Sequence, residues 1–347
     1  MSGQAKSDLY KNAGVDIDLA HDLLDRVKKT ISKTRRPEVL APIGGFGGLF
    51  QLDLSKYREP VMVSSVDGVG TKLMVAMLME KYDTVGYDIV NHCIDDIIVQ
   101  GAEPVYFMDY LGIGKLRSPL YEEVLSGLAN ACLAQHVALL GGETAEMPGM
   151  YGDDFDLVGC ITGIVEKSRL ITGDSIRPGD VMIGLGSSGL HTNGYSLARK
   201  ILFDGAGYSV HSKPDGLDVS VGDALLEPHI CYWPGVKNVL EARLDVRGMA
   251  HITGGGWYDN IVRVLPDRVN AVCRKDMLPI PPIFELIRMH GNIEEEEMYR
   301  VFNMGMGFVI VVAEDDAEKT LGICRENGFA AEKVGHITDG SGKVIVE

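Results

Sequence analysis

Along this chain, stretches with apolar residues three and four positions apart alternate with short runs of β-branched residues. The first helical pattern predicts an amphipathic helix with Asp16 or Asp18 as its N-cap. Its buried positions would be Ala20, Leu23, Leu24, Val27 and Ile31. The first β-branched run, residues 61–66, follows Pro60 and indicates a strand. Helices and strands continue to alternate, which predicts a mixed α/β fold in both halves of the chain.

The same patterns predict further elements on either side of a strong turn signal at Arg177-Pro178-Gly179-Asp180. In the first half we predict helices at residues 72–80, 88–100 and from Ser118, strands at 105–110, 137–140 and 157–165, and a loop at 141–149. In the second half we predict helices at residues 195–203, 225–242, 258–265 and 315–327, and strands at 181–185, 250–253, 269–273, 308–312 and near 334 and 344. A domain boundary at residues 169–175 would divide the chain into 1–170 and 171–347.

Composition and charge narrow the classes of function. The 347 residues are 46% hydrophobic, which is enough for a large buried core. This length favours two domains over one. A net charge of −16 repels polyanions, so we expect no nucleic-acid partner, although small phosphorylated ligands remain possible. No apolar stretch approaches the ~18 residues that span a bilayer, so we expect no membrane association and a cytoplasmic location.

The first candidate for chemistry is the segment that follows the strand at residues 61–66. Asp67 offers a carboxylate that could hold Mg²⁺, the glycines after it allow backbone amides to approach phosphate, and Thr71 and Lys72 follow. The order matches neither Walker A nor G-x-G-x-x-G. A glycine turn with one solvated aspartate therefore remains the alternative.

Acidic residues recur in two further places. On the helix at residues 88–100, His92 and Asp96 are four apart on one face, and Asp95 is turned away by about 100°. A metal site and a solvated helix surface remain equally open, although the rest of the helix is apolar. The glycine-rich stretch 141–149 carries Glu143 and Glu146, which could be ligands or part of a surface turn.

In the second half, two glycine-rich segments follow strands and open helices, where free backbone amides bind anions. Residues 186–194 contribute His191 and Asn193, in an order that gives no evidence for a Ser-His-Asp triad, so phosphate binding is favoured. His251 precedes the second segment, residues 254–256. One such histidine is usually structural, but two favour a site.

Taken together, these segments resemble the aminoimidazole ribonucleotide synthetase family, also called phosphoribosylformylglycinamidine cyclo-ligase. The resemblance covers nearly the whole chain. Its motifs are YKNAGVDID (residues 10–18), KTRRPEV (33–39), GGFGGLF (44–50), DGVGTKL (67–73), VQGAEP (99–104), GGETAEMPGMY (141–151), GSSGLHTNGYSL (186–197), HITGGG (251–256) and EMYRVFNMGMG (297–307).

The resemblance implies a fold and a reaction. The N-terminal α/β domain would contain a half-barrel sheet that is completed by dimerisation with a second copy, and a C-terminal α/β domain would follow on the substrate side. ATP would phosphorylate the formyl-amide oxygen of formylglycinamidine ribonucleotide, and a ring-forming nitrogen would then displace phosphate. ADP, phosphate and 5-aminoimidazole ribonucleotide would be released.

The resemblance also implies roles for individual residues. Those that would bind Mg-ATP are Lys28, Gly44, Gly45, Gly47, Gly48, Asp67, Thr71, Lys72, Asp96 and Glu143, with Asp67 and Asp96 as metal ligands and participants in catalysis. The ribonucleotide would lie against His191, Asn193 and His251, and His251 would also carry protons. This chain departs from the family at Asp95, where an asparagine is common.

Two other classes of function remain as alternatives. A related enzyme, such as thiamine-monophosphate kinase or selenophosphate synthetase, would share the ATP-binding architecture but transfer phosphate to its product. The substrate-side motifs argue against this, and the first cysteine, Cys93, comes after the early glycine-rich region where a selenophosphate synthetase would have a reactive one. A nucleotide-binding regulatory protein is the non-enzyme alternative, and it would show no ATP turnover.

Overall fold

The computed structural model describes residues 11–347, so Tyr10 of the first motif lies outside the described residues. Helix α1, Ile17–Ser32, begins after Asp16, whose side chain accepts a hydrogen bond from the backbone N–H of Leu19 (3.1 Å). It buries Leu23, Val27 and Ile31. The predicted cap is therefore confirmed at Asp16, and the predicted face is buried at these three positions and half-buried at Ala20 and Leu24.

The first sheet has the strand order β1-β4-β2-β3. Its strands are β1 (Pro60–Gly68), β2 (Glu103–Ile113), β3 (Ala138–Glu146) and β4 (Phe155–Glu166), and only the β2–β3 pair is parallel. Helices α2 (Leu73–Met79), α3 (Asp83–Ile98) and α4 (Ser118–Ala134) follow β1 and β2. Helices α3 and α4 cross at Gly86 and Gly127, where any larger residue would meet the backbone of the other helix. This close crossing fixes α3 against the sheet.

Strand β3 corrects the loop predicted at residues 141–149. The strand continues to Glu146 and pairs with β2 from Met108–Gly141 to Ile113–Glu146. A side chain at Gly142 would clash with Asp109, so glycine is needed there for close packing. Because β3 lies at the edge of the sheet, the glycines weaken pairing to one neighbour only. Their role is packing, and they do not end the strand.

The second sheet has the strand order β10-β7-β9-β5-β8-β6 and is antiparallel except for β7–β10. Its strands are β5 (Val181–Gly186), β6 (Val246–His251), β7 (Val269–Cys273), β8 (Met306–Val312), β9 (Ala331–Asp339) and β10 (Lys343–Val346). The helices are α5 (Tyr195–Arg199), α6 (Val221–Leu226), α7 (Trp233–Glu241), α8 (Gly256–Ile261), α9 (Pro282–Gly291), α10 (Glu295–Val301) and α11 (Ala317–Glu326). The mixed α/β class is confirmed. No helix within residues 11–347 is long and apolar enough to cross a membrane.

The single helix predicted at residues 225–242 is wrong, because the chain forms α6 and α7 with an irregular segment between them. Pro228 disfavours the helical conformation in the residue before it, and Glu227 is extended, with ψ of 126°. Pro234 then lies in the first turn of α7. The segment between the helices places His229 beneath α3, where its backbone N–H binds Asp88 of that helix (2.8 Å).

Candidate active site

Four parts of the chain meet where helix α3 contacts the second half of the chain. The end of β1 contributes Asp67, and helix α3 contributes His92 and Asp96. The segment after β5 contributes Thr192, and the end of β6 contributes His251. Hydrogen bonds among these side chains join residues that are far apart in the sequence into one cluster.

Two carboxylates in this cluster are ionised and partly exposed. His92 Nε2 lies 2.8 Å from Asp67 Oδ2 and 3.6 Å from Asp96 Oδ2. The Ser65 hydroxyl donates to the latter oxygen (2.8 Å). Burial opposes ionisation of Asp96, but hydrogen bonding to His251 and nearby histidine charge outweigh it and lower the pKa to about 2. The pKa of Asp67 is also lowered, since its contact with His92 outweighs burial.

The His251 ring lies between one of these carboxylates and a second histidine. Its Nδ1 is 2.9 Å from Asp96 Oδ1, and its Nε2 is 3.1 Å from His229 Nε2. Burial lowers the pKa of His251, although Asp96 acts in the opposite direction. The favoured state at neutral pH is a neutral imidazole that donates Nδ1–H to Asp96 and keeps a lone pair on Nε2.

His229 belongs to this cluster but was not predicted from the sequence. Its Nδ1 is 3.3 Å from Thr192 Oγ1, and the same hydroxyl is 2.7 Å from His92 Nδ1. Burial holds the pKa of His229 well below its usual range. The prediction of one continuous helix hid this residue. The Pro228 that precedes it was the available signal that the helix ends there.

The predicted substrate residues His191 and Asn193 differ in how far they are buried. The His191 ring stacks on His229 with centroids 4.1 Å apart, and its Nε2 accepts a hydrogen bond from the Ser188 backbone N–H (3.2 Å). Only 1% of His191 is exposed. Asn193 is half-buried and donates to Thr192 Oγ1 (3.4 Å). Direct contact with a substrate is therefore open to Asn193, whereas His191 supports the cluster from behind.

Lys72 differs from the sequence-based expectation of a phosphate contact. Its Nζ is completely buried and lies 2.8 Å from Asp88 Oδ1, 2.7 Å from the Glu227 carbonyl and 3.1 Å from the His191 carbonyl. Burial lowers the pKa of Lys72, which Asp88 partly offsets. Because its three N–H donors all bind groups inside the protein, the ammonium has none left for a phosphate. Thr71, by contrast, is exposed, and its hydroxyl is 3.1 Å from Ser196 Oγ.

Asp95 and Asp96 point in different directions, as their helical spacing predicts. Asp95 is completely buried, and its Oδ1 accepts a hydrogen bond from the Tyr232 backbone N–H (2.9 Å). Its Oδ2 has no hydrogen-bond partner and lies 3.4 Å from His229 Nε2. Burial raises the pKa of Asp95 well above its usual range. Of the two carboxylates, Asp96 is the one that solvent reaches.

The remaining predicted nucleotide residues lie elsewhere in the chain. A cavity of about 410 Å³ lies beside α1 and is lined in part by Gly44, Gly45, Gly47, Gly48 and Glu143. Lys28 is exposed on α1 and pairs with Asp25 (3.4 Å). Glu146 has a structural role, because its carboxylate accepts hydrogen bonds from the backbone N–H groups of Asp16 (3.0 Å) and Leu116 (2.7 Å).

Comparison with protein families gives matches in both halves of the chain. Residues 54–165 match the N-terminal domain of AIR synthase related proteins, and residues 177–347 match their C-terminal domain. A phosphoribosylformylglycinamidine cyclo-ligase from Syntrophotalea carbinolica is 51% identical over 322 residues, which cover 92% of this chain and 91% of the relative. One from Brevibacillus brevis is 46% identical over 340 residues, which cover 98% of each.

Solved structures with this fold are more distant in sequence. Thiamine-monophosphate kinase from Stenotrophomonas maltophilia is 18% identical, with a TM-score of 0.67 over 94% of this chain and 95% of the other. The hydrogenase maturation protein HypE in complex with ATP is 17% identical, with a TM-score of 0.66 over 94% of this chain and 91% of the other. At this level of identity, the two structures show a shared fold.

Proposed function

The chain belongs to the phosphoribosylformylglycinamidine cyclo-ligase family of AIR synthase related proteins, and we propose which of its residues bind ATP and which act on the substrate. It is an ATP-dependent ring-closing enzyme of purine biosynthesis. ATP phosphorylates the formyl-amide oxygen of formylglycinamidine ribonucleotide, and attack by the ring-forming nitrogen expels phosphate. Residues 1–170 bind ATP and form the dimer, and residues 171–347 supply the substrate side. One observation carries this assignment: Asp96 contacts His92 in the first half of the chain and His251 in the second half.

Asp67 and Asp96 hold the Mg²⁺ that accompanies ATP. Both are ionised, 45% and 25% of their side chains are exposed, and oxygens from both lie within 4.8 Å of a His92 nitrogen and of each other. Carboxylate oxygens are the protein ligands that Mg²⁺ prefers, so the residues fit the ion. Bound Mg²⁺ neutralises charge on the transferring phosphoryl group. Thr71 and the glycines beside it remain accessible to the phosphates.

His251 accepts the proton that the attacking nitrogen must lose. Asp96 holds Nδ1 of the neutral ring, which fixes both the tautomer and the orientation and leaves a lone pair on Nε2. That lone pair is paired with His229 Nε2 (3.1 Å), so the substrate would take the place of this contact. Lys72 has a positioning role here. By binding the carbonyls of His191 and Glu227, it holds the two segments that carry Thr192 and His229 against α3.

The function is tested by incubating the purified protein with Mg-ATP, with and without formylglycinamidine ribonucleotide. We expect ADP release only with the ribonucleotide, and an aminoimidazole that forms at the same rate. Thiamine monophosphate in the same assay serves as the matched control, because a kinase shares the fold. ADP release with thiamine monophosphate and none with the amidine would contradict the assignment.

We also propose that the chain forms a homodimer through the first sheet. Val66, Cys160 and Met108 are neighbours across β1, β4 and β2 and therefore share a face. Val66 is 64% exposed and Met108 is 36% exposed. Met62 is 45% exposed and lies four residues before Val66 on β1, so its side chain is on the same face. An apolar sheet face of this kind is typical of an interface, and a second copy would close the half-barrel.

Light scattering at micromolar concentration is expected to give twice the chain mass of 37.7 kDa. Met108→Glu should shift the protein towards a monomer, because it places a charge in the proposed interface. Leu133→Glu, at a residue 40% exposed on α4, is the control and should remain dimeric. A parent protein that is monomeric and fully active would refute the dimer proposal.

A further inference from the structure

Three buried imidazoles, those of His92, His229 and His251, face one another with nearly threefold symmetry. The ring centroids are 5.3 Å apart for His92–His229, 5.0 Å for His92–His251 and 5.1 Å for His229–His251. The corresponding angles between ring planes are 68°, 69° and 68°. The exposed fractions of the three side chains are 4%, 0% and 3%. The rings therefore form a closed triangle inside the protein.

This triangle has the dimensions of a metal site with three histidine ligands. Zinc–nitrogen bonds of roughly 2.0–2.1 Å at tetrahedral angles place the ligand nitrogens about 3.3 Å apart and the ring centroids about 5.2 Å apart. His229 Nε2 and His251 Nε2 are 3.1 Å apart, and one nitrogen from each of the three rings lies within 4.8 Å of the others. Small side-chain movements would bring all three nitrogens onto one ion.

The groups around the triangle are those that surround metal-bound histidines. Asp96 binds His251 Nδ1 (2.9 Å) and Asp67 binds His92 Nε2 (2.8 Å). Each carboxylate orients its ring and leaves the opposite nitrogen for a ligand. The other ring nitrogen of His92, Nδ1, contacts the Thr192 hydroxyl (2.7 Å), which is a neutral group that an ion can displace.

Asp95 supplies an independent observation beside the triangle, because one of its carboxyl oxygens is unpartnered and lies near His229. Its Oδ2 is completely buried, has no hydrogen-bond partner and lies 3.4 Å from His229 Nε2. A buried polar atom without a partner is costly, so such atoms call for a specific explanation. A metal ion bound to His229 would place a positive charge beside this oxygen.

We propose that His92, His229 and His251 bind one divalent transition-metal ion of the zinc class, at a site separate from the Mg²⁺ carboxylates. Nitrogen ligands in a tetrahedral arrangement favour zinc or cobalt over magnesium. The ion uses the Nε2 lone pair of His251, so its binding inhibits ring closure. That consequence rests on the proposed role of His251, whereas binding of the ion does not.

The test is a titration of chelator-treated protein with Co²⁺ in excess Mg²⁺, which keeps the carboxylate site filled. We expect one equivalent of Co²⁺ to bind with the strong visible absorption of tetrahedral coordination. His229→Gln should abolish this absorption, and His211→Gln, which changes an exposed histidine, should retain it. Weak absorption typical of octahedral oxygen ligands, or equal binding by His229→Gln and the parent, would overturn the proposal.

A second measurement needs no variant and therefore does not depend on the folding of His229→Gln. X-ray absorption at the zinc edge, on the unaltered protein loaded with one equivalent of Zn²⁺ in excess Mg²⁺, should show three imidazoles at about 2.0–2.1 Å. A shell made only of oxygen would refute the site. Inhibition of ADP release by Zn²⁺ is measured separately, so a failure of the proposed catalytic role is distinguishable from a failure to bind.

Discussion

Replacing His251 with alanine is expected to lower the rate of ring closure by ~10² to 10⁴, the usual effect of removing a positioned acid or base. In the proposed mechanism the neutral ring beside Asp96 exchanges its Nε2 contact with His229 for the proton of the substrate, and alanine has no group that can do this. The apparent affinity for ATP should change much less, because the proposal assigns Mg-ATP to Asp67 and Asp96. Steady-state ADP release and aminoimidazole formation, measured over separate titrations of ATP and ribonucleotide, would distinguish the two effects.

His290→Ala is the matched control and should leave turnover unchanged, because His290 pairs with Tyr208 (2.9 Å) and not with the histidine and carboxylate cluster. Circular dichroism of both variants checks that they are folded. A His251→Ala protein with normal turnover would show that this histidine is structural, and a protein that loses only ATP affinity would place it on the nucleotide side.

The second large effect is expected from Asp96→Asn, with Asp95→Asn as its neighbouring control. Asp96→Asn removes the charge of a proposed Mg²⁺ ligand and weakens the hydrogen bond that orients His251. We expect a loss of about 3 kcal/mol or more in transition-state stabilisation, ~10² in rate. ADP release across a magnesium titration measures this loss.

Asp95→Asn should retain turnover within a few-fold. Asparagine keeps an oxygen that can accept the Tyr232 backbone N–H, and burial already raises the pKa of Asp95 well above its usual range, so an uncharged side chain suits the site. It also restores the residue common in the family. If Asp95→Asn is the inactive variant, or if both variants lose activity equally, the assignment of this helix face is wrong.

Local sequence patterns were sufficient for most of the fold. The apolar spacing in α1 and the capping side chain of Asp16 act within a few residues, so they could be recognised from the sequence. The strand predicted at residues 61–66 and the carboxylate after it also lie where expected. The strand predicted at residues 137–140 is the start of β3, but its continuation to Glu146 escaped prediction. Gly142 is explained by its packing against Asp109 on the neighbouring strand, and such a contact is invisible to a local pattern.

The candidate site was predicted only in part for the same reason. The sequence indicated Asp67, Asp96 and His251 as chemical groups, and the structure brings all three together. A lysine after a glycine turn suggested phosphate binding, but the orientation of Lys72 depends on Asp88 and on carbonyls more than 100 residues away. Likewise, His229 entered the cluster through a helix break that its neighbouring proline permits.

The buried ammonium of Lys72 has a consequence for how ligands enter and leave. Two of its three acceptors belong to the second half of the chain, so hinge opening would leave this interior charge with Asp88 as its one remaining partner of the three. The contacts from Asp88 to the His229 backbone and from Asp95 to the Tyr232 backbone would break in the same motion. The two halves therefore behave as a fixed frame. Ligands would then reach the site from the solvent-exposed side of Asp67 and Asp96, without separation of the two halves.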